Sequence, residues 1–331
     1  PQKSSKALVF RGQCVSPVTS EIPTLSMRMA SFLRSLPSFF TGIAQPRKLL
    51  GRILLATLTL VCVLAIPATA VQVQIQPSEL QLGDTVSIWV VEDSASTATP
   101  TVVLNGTTYP TFAMGGNRYR ALLPTTPLDA PGRKTVQVNG SSETRNLAFW
   151  LGDRDFPTQR IWLPPDRAEL EGTDYEFDRV AAFKRVVSPE KFWNGPFLRP
   201  SQGEVSTVYG VRRYYNGDFA EDYYHRGVDY AAPTGSPVVA PAPGRITLVG
   251  READGFQIHG NTIGLDHGQG VGSIFIHLSR IDVQEGDFVQ AGQVIGAVGS
   301  TGASTGPHLH WGLYVHGMAV DPVPWRYDGV E

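Results

Sequence analysis

The fold of this chain is decided by the stretch GPHLHWG at residues 306–312. Side chains two residues apart in a β-strand point to the same face, so His308 and His310 would project together while Leu309 turns toward a core. Two imidazoles on one face of a strand are suited to bind a metal ion or to carry a proton. The stretch therefore predicts a β-sheet with chemically active side chains on one face.

A second motif, HRGVD, lies earlier in the chain and contains His225 and Asp229. Residues four apart share one side of a helix or of a strand. Gly227 and the AAPTG at residues 231–235 disfavour a helix, so we place both motifs on strands. Two histidines with one carboxylate form a ligand set suited to a catalytic zinc ion, which keeps one position open for water.

A third histidine, His277, lies in the apolar stretch GSIFIHLS at residues 272–279. Taken in order, HRGVD, HLS and GSTGASTGPHLH resemble the motifs of the lysostaphin-type (LytM-like) zinc metallopeptidases, which cut peptide bonds in peptidoglycan. The resemblance runs from about Tyr209 to Pro322. It departs at the WG that follows the last histidine, where many relatives have Phe-Glu, and this departure concerns the shape of the substrate groove.

The resemblance implies one Zn²⁺ ion held by His225, Asp229 and His310. It makes His277 and His308 catalytic histidines that do not bind the metal. Zinc lowers the pKa of a bound water to roughly 7, so hydroxide can attack the scissile carbonyl. The two remaining imidazoles are suited to act as general base or acid and as donors to the oxyanion, in either assignment. A D-alanyl to diaminopimelate cross-link is the first expectation for the bond, and a glycine bridge is the second.

Two other interpretations concern the same region. The stretch VQEGDFVQAGQVIG at residues 283–296 resembles the hairpins of biotinyl and lipoyl carrier domains, but such carriers need a lysine and none follows Lys191. A LytM-like protein without its metal ligands would be a noncatalytic activator or wall-binding protein. This chain keeps all three ligand positions, so we favour an enzyme.

The N-terminal part has the order of a secretory signal peptide. Basic residues, an apolar run and the small residues ATA follow one another in residues 47–70, which we assign as the signal. The apolar run, residues 53–66, is shorter than the roughly 20 residues of a membrane helix. We therefore expect cleavage after Ala70, no stable membrane span, and a location in the periplasm or cell wall, with a retained anchor as the alternative. Residues 1–46 are an extension whose methionines are candidate translation starts.

Composition narrows the class of protein further. The length of 331 residues suggests two domains, and a hydrophobic content of 42% is ordinary for a globular protein. Residues 71–331 carry 20 of the 28 Lys/Arg and 29 of the 30 Asp/Glu, a formal charge of −9, which argues against nucleic acid as a partner. Both cysteines precede residue 71, so the secreted part must be held by its core without disulfides. We expect a monomer whose partner is peptidoglycan.

Residues 71–151 contain short runs in which apolar and polar residues alternate, with NG turns at 105–106 and 139–140. These runs predict an immunoglobulin-like β-sandwich. No catalytic cluster lies in it, so a spacer, a wall-binding module and a self-inhibiting module are all considered. We expect removal of this part to leave a folded enzyme.

Residues 152–204 form a connector. TDYE at residues 173–176 fits a capping box and predicts a helix over about 173–187. The stretch FWNGPFLRP at residues 192–200 is too apolar for a free linker, so we expect it to pack on the catalytic domain, residues 205–331. The predicted fold class is all-β and mainly antiparallel: an N-terminal immunoglobulin-like sandwich, one connector helix and a C-terminal LytM-like β-sheet peptidase domain.

The remaining histidines and tyrosines give weaker signals. His259 and His267 lie in Gly-rich stretches and are predicted to be solvated turn residues, and His316 is predicted to lie in a turn. Tyrosines in the segment before His225 are candidates to line the substrate groove, Tyr223 and Tyr224 among them.

Overall fold

The computed structural model describes residues 71–92, 98–162, 170–327 and 330. They belong to one compact unit, Ala70–Glu331. The predicted N-terminal extension and signal peptide lie outside the described residues. Within those residues, no helix is both long enough and apolar enough to cross a membrane.

Residues 71–152 form two sheets around one core. The strands found in the described part of this region are β1 Gln72–Gln76, β2 Leu80–Gln81, β3 Thr85–Val91, β4 Thr101–Leu104, β5 Thr107–Pro110, β6 Phe112–Ala113, β7 Arg118–Pro124, β8 Gly132–Asn139 and β9 Thr144–Gly152. One sheet has the order β1-β3-β7-β6 and the other β2-β9-β8-β4-β5, and only β2 with β9 pairs in parallel. Ile88 of β3 and Val136 of β8 are fully buried in the shared core. The immunoglobulin-like topology of these strands stays a prediction.

The rest of the described chain is also mainly β. Its elements are β10 Thr158–Ile161, α1 Asp174–Lys184, β11 Glu204–Thr207, β12 Arg212–Tyr215, β13 Asp218–Phe219, β14 Val228–Ala231, β15 Pro237–Val239, β16 Gly244–Gly250, a 3-10 turn at Glu252–Asp254, β17 Asn261–Gly268, β18 Val271–Leu278, β19 Arg280–Ile281, β20 Phe288–Val289, β21 Val294–Ala297, β22 His308–Val315, β23 Met318–Val320 and α2 Pro322–Trp325. The prediction of a mainly β chain is confirmed.

The central sheet has the order β11-β14-β22-β18-β17-β16-β20, with β23 beside β22, and its strands are antiparallel. Leu309 and Trp311 of β22 are fully buried in the core. His308 and His310 alternate with them and therefore project from the other face. In the pairing of β14 with β22, Asp229 lies opposite His310. The register of two neighbouring strands thus brings the two sequence motifs together.

Helix α1 begins where the sequence predicts. Thr173 is its N-cap, and the Thr173 hydroxyl oxygen accepts the amide of Glu176 at 3.0 Å. The helix ends at Lys184, before the predicted end, because two β-branched valines follow and Pro189 disfavours helical backbone at the residue before it. Phe183, in the last turn, is buried against the central sheet.

The apolar part of the connector packs into the core of the C-terminal region, residues 205–331. Trp193 and Phe197 are each 2% exposed. Their ring centroids lie 5.9 and 5.2 Å from the ring of Trp325 in α2. The amide of Phe197 also donates to the carbonyl of Trp325 at 2.8 Å. The predicted docking of this segment is confirmed.

The sandwich and the C-terminal region share buried contacts. Leu122 of β7 is fully buried in the same apolar cluster as the central sheet. Arg120, also fully buried, donates from Nη2 to Gln269 Oε1 at 2.7 Å and from Nη1 to the Val330 carbonyl at 3.1 Å. Removing residues 71–151 would uncover these groups, so the structure argues against the expectation that a truncated chain stays folded.

Candidate functional site

Three atoms of the kind that bind metals converge beside β14 and β22. The Nε2 atom of His225 lies 3.0 Å from Oδ1 of Asp229 and 3.0 Å from Nδ1 of His310. Those last two atoms are 2.8 Å apart. All three residues are less than a tenth exposed. Among the residues that the structure describes, His225, Asp229 and His310 are the group of His, Cys, Asp or Glu side chains that is placed closely enough to hold a metal ion.

The surrounding hydrogen bonds fix where the lone pairs of this cluster point. His225 donates its Nδ1–H to the carbonyl of Val208 at 2.7 Å, so neutral His225 presents an unprotonated Nε2 to the cluster. If both imidazoles are neutral, the only proton that they can place among these three atoms is one on Nδ1 of His310. Acceptors that face one another in a buried volume are costly without a cation. The residues therefore fit a metal cation.

His277 and His308 lie next to this cluster, with ring centroids 4.9 Å apart. The Nδ1–H of His277 donates to the carbonyl of Thr301 at 2.8 Å, and that of His308 to the carbonyl of Gly306 at 2.8 Å. In the neutral form of each ring, Nε2 is therefore the basic nitrogen. The Nε2 atom of His308 lies 3.9 Å from Oδ1 of Asp229.

Burial keeps the imidazoles of His277 and His310 neutral. It lowers the pKa of His277 to about 3, with further contributions from His308 and His310, and it lowers the pKa of His310 to about 4. Burial alone would raise the pKa of Asp229, but its interactions with His225 and His310 hold that pKa well below the usual value. At neutral pH the site therefore combines the Asp229 carboxylate with a neutral His310 ring, which is the protonation state that a metal requires of these two ligands.

A guanidinium lies on the other side of the Asp229 carboxylate. Nη2 of Arg213, on β12, is 3.9 Å from Oδ2 of Asp229. Nη1 of Arg213 donates to the hydroxyls of Tyr223 at 3.1 Å and Tyr215 at 3.3 Å. Arg213 was not among the residues predicted for the site, although alternation along the RRYY of β12 puts it on the same face as Tyr215. Arg213 therefore links Tyr215 and Tyr223 to the side of the site on which Oδ2 of Asp229 lies.

Several sequence-based placements need correction. His225 lies in the loop before β14 and not on a strand, since β14 begins at Val228. Tyr224 is 3% exposed and packs in the core, so it does not line the groove. Trp311 is fully buried, so the departure from the resembled motif at this position does not shape the groove. His316 does lie in a turn, with φ of 45°.

Two histidines that were expected to be solvated are held by hydrogen bonds to other parts of the chain. His267 is fully buried in β17, donating from Nδ1 to the carbonyl of Pro243 at 2.9 Å, with Nε2 at 2.8 Å from the hydroxyl of Ser273. His259 donates its ring Nδ1–H to the buried carboxylate of Glu176 at 2.5 Å. The nearby glycines indicate turns correctly, but they carry no information about which distant segments cover those turns.

Comparison with known proteins identifies relatives of this region. The family model "Peptidase family M23" matches residues 223–322, which include all five histidine and aspartate residues of the site. The DD-carboxypeptidase/endopeptidase Mpg of Neisseria meningitidis serogroup B is 48% identical over 99 residues, 30% of this chain and 22% of that protein. The peptidoglycan DD-endopeptidase ShyC of Vibrio cholerae is 39% identical over 98 residues, 30% of this chain and 22% of that protein. The chain thus spans about a fifth of the length of these relatives.

A solved structure extends the likeness beyond the matched family region. The crystal structure of a putative peptidase M23 from Pseudomonas aeruginosa is similar with a TM-score of 0.56 and 27% sequence identity. The similarity covers 76% of this chain and 96% of that chain. It is therefore wider than residues 223–322 and includes part of the chain that precedes them.

Proposed function

We propose that this chain, whose residues 223–322 match the model of peptidase family M23, is a zinc metalloendopeptidase that hydrolyses peptide cross-links in peptidoglycan. The observation that carries the proposal is the buried convergence of His225, Asp229 and His310 beside two further imidazoles. The activities for which the Neisseria and Vibrio relatives are named support the same chemistry.

Nε2 of His225, Nδ1 of His310 and Oδ1 of Asp229 would hold the metal, one ion per chain. Two imidazole nitrogens with one carboxylate oxygen are a donor set typical of hydrolytic zinc. When bound, zinc lowers the pKa of a water ligand to about 7 and polarises the scissile carbonyl. Arg213 faces the second carboxylate oxygen, Oδ2 of Asp229, and so helps to keep Oδ1 turned toward the two histidines.

His277 and His308 would carry the protons of the reaction. Because each gives its Nδ1–H to a backbone carbonyl, Nε2 is the atom that accepts a proton from the attacking water and passes it to the leaving amine. A protonated Nε2 is also a donor to the oxyanion that develops on the scissile carbonyl. The two adjacent rings can divide these tasks between them. In the balance of the reaction, hydroxyl joins the carbonyl carbon and hydrogen joins the nitrogen.

The bond that we propose is a D-alanyl to diaminopimelate cross-link. A bond between D-configured centres is supported by the term DD in the names of the Neisseria and Vibrio relatives. Peptidoglycan lies outside the cytoplasm, so this substrate agrees with the signal peptide that the sequence predicts. A noncatalytic activator is disfavoured, because the three ligand side chains are present and converge.

Metal content and rate in two histidine variants test the proposal. By elemental analysis the wild-type protein should hold about one zinc per chain, and His310→Ala should lose it. His308→Ala should keep most of its zinc and yet hydrolyse cross-links roughly 100-fold or more slowly, because it removes a proton carrier and not a ligand.

A turn histidine provides the control. His316→Asn should keep both zinc and rate, since asparagine tolerates the positive φ of this position. Full zinc retention in His310→Ala would contradict the ligand assignment. Equal losses of zinc and rate in His308→Ala would instead make His308 a ligand.

A further inference from the structure

Helix α1 places one carboxylate inside the C-terminal region. Glu176 is fully buried, and the backbone amides of residues 257–259 donate to its carboxylate at 2.9, 3.1 and 2.6 Å. The ring of His259 adds a fourth hydrogen bond at 2.5 Å. In a full capping box, this glutamate would bond back to the amide of Thr173. Here the carboxylate instead joins the connector helix to a segment of the C-terminal region.

The other side of the same segment holds His277. The carbonyl of His259 accepts the amide of His277 at 3.0 Å, and the carbonyl of Ile258 accepts the amide of Ala303 at 2.9 Å. Thr301, in the same loop as Ala303, accepts the Nδ1–H of His277 at 2.8 Å. Residues 257–259 therefore support both the backbone of His277 and the loop that orients its ring.

His277 depends on such support because its backbone is in the left-handed region, with φ of 65°. A residue with a Cβ keeps that conformation only where its surroundings enforce it. His277 lies near the end of β18, where the pairing with β17 shifts register between Asn261 and Ile263. The strand ladder is thus irregular at this point, and the hydrogen bond to His259 supplies a fixed contact.

The helix is anchored at a second point close by. The hydroxyl of Thr173 donates to the carbonyl of Gly255 at 2.9 Å, while its oxygen caps the helix. The anchors come from α1 and its N-cap, which precede the matched family region, residues 223–322. The support of His277 therefore reaches beyond the segment that carries the site.

We infer that Glu176 is a positioning residue, which acts from the connector helix through residues 257–259 to hold His277 in place beside His308. The inference rests on the proposed function of His277. Glu176 bonds to this supporting segment, and its effect on the reaction is through the placement of the imidazole.

Glu176→Gln tests the inference, with Asp178→Asn as the matched control. Glutamine keeps the shape of the side chain but turns an NH₂ group toward amide donors that need an acceptor. Asp178 is exposed on the same helix, so its change to asparagine removes the same charge without touching residues 257–259. We expect kcat of Glu176→Gln to fall about 10-fold or more, with KM and zinc content near wild type, because a small displacement of a reacting group is costly. Amide hydrogen exchange at His277 should become faster, and Asp178→Asn should change none of these quantities.

A kcat within about 2-fold of the control would overturn the inference. So would a loss of zinc, or faster exchange throughout β14 and β22, because either would show a general structural role. If Glu176→Gln does not fold, Glu176→Asp makes the same test, since its shorter side chain keeps the charge but withdraws from the amides. If the zinc-loaded wild-type protein cleaves no cross-link, the proposed function fails, and exchange at the His277 amide still decides whether Glu176 holds that residue.

Discussion

His267 is an imidazole that the fold keeps neutral. It is fully buried in β17, and burial lowers its pKa to about 4. The Nδ1–H donates to the carbonyl of Pro243, which leaves Nε2 to accept from the hydroxyl of Ser273. A second proton would break the hydrogen bond at Nε2 and place a charge in the core. His267 has no part in the proposed chemistry, and yet it makes folding depend on pH.

Acid should therefore destabilise the protein through His267. The unfolded chain has the ordinary histidine pKa of about 6.5, so between pH values of about 6.5 and 4 the unfolded state binds a proton that the folded state does not. The stabilisation that neutral His267 provides is fully present above pH of about 6.5 and decreases as the pH falls. Below pH of about 4, the free energy of unfolding is lower by about 3 kcal/mol.

Urea unfolding at several pH values, in wild type and in His267→Gln, measures this contribution. The variant should be less stable at neutral pH but should lose less stability on acidification, and the metal ligands titrate in both proteins and cancel in the comparison. The same pH dependence in both proteins would contradict the role assigned to His267.

Local patterns in the sequence predicted the part of the site that lies on a strand. Alternation along β22 is a property of neighbouring residues, so the positions of His308 and His310 on one face followed from the motif alone. The loop position of His225 did not, because the spacing of four residues to Asp229 is satisfied by a turn as well as by a strand. Glu176 with His259 could not be predicted either, because their contact joins segments that are distant in sequence.

The connector is an element whose composition predicts its packing better than its ends. Trp193 and Phe197 lie in the core, as the apolar stretch indicates, whereas helix α1 ends earlier than predicted. Trp193→Ala should cost about 3 to 5 kcal/mol of unfolding free energy, because it leaves a cavity next to Trp325.

Leu198 provides the control for that prediction. It lies in the same stretch but is 47% exposed, so Leu198→Ala should lower the unfolding free energy by much less than Trp193→Ala does. Chemical denaturation of the two variants measures the difference. Equal small losses would mean that the connector does not contribute to the core.

The molecule from β1 to α2 should unfold as one cooperative unit. The side chains of Arg120 and Leu122, from the sandwich, are buried against the C-terminal region. The indole N–H of Trp325 also donates to the hydroxyl of Thr85 at 3.1 Å. Calorimetry should therefore show a single transition for residues 71–331.

Arg120→Met should lower the unfolding free energy by about 1 to 3 kcal/mol, because it leaves the acceptor on Gln269 without this donor.

Arg118→Met is the matched control, since Arg118 lies two positions earlier on β7 and is exposed. It should leave the transition close to that of wild type. Two separate transitions in the wild-type protein would show that the sandwich and the C-terminal region fold independently, as the sequence alone had suggested.

The bond that the protein cuts defines its proposed function. Mass spectrometry of a purified cross-linked muropeptide dimer, incubated with zinc-loaded wild-type protein, reports that bond directly. We predict that each dimer takes up one water and gives two monomers by cleavage at the D-alanyl to diaminopimelate bond, and that His310→Ala leaves the dimer intact. Intact dimers after incubation with the wild-type protein, loss of a terminal alanine alone, or breaks confined to the glycan would contradict the claim that this chain is a peptidoglycan cross-link endopeptidase.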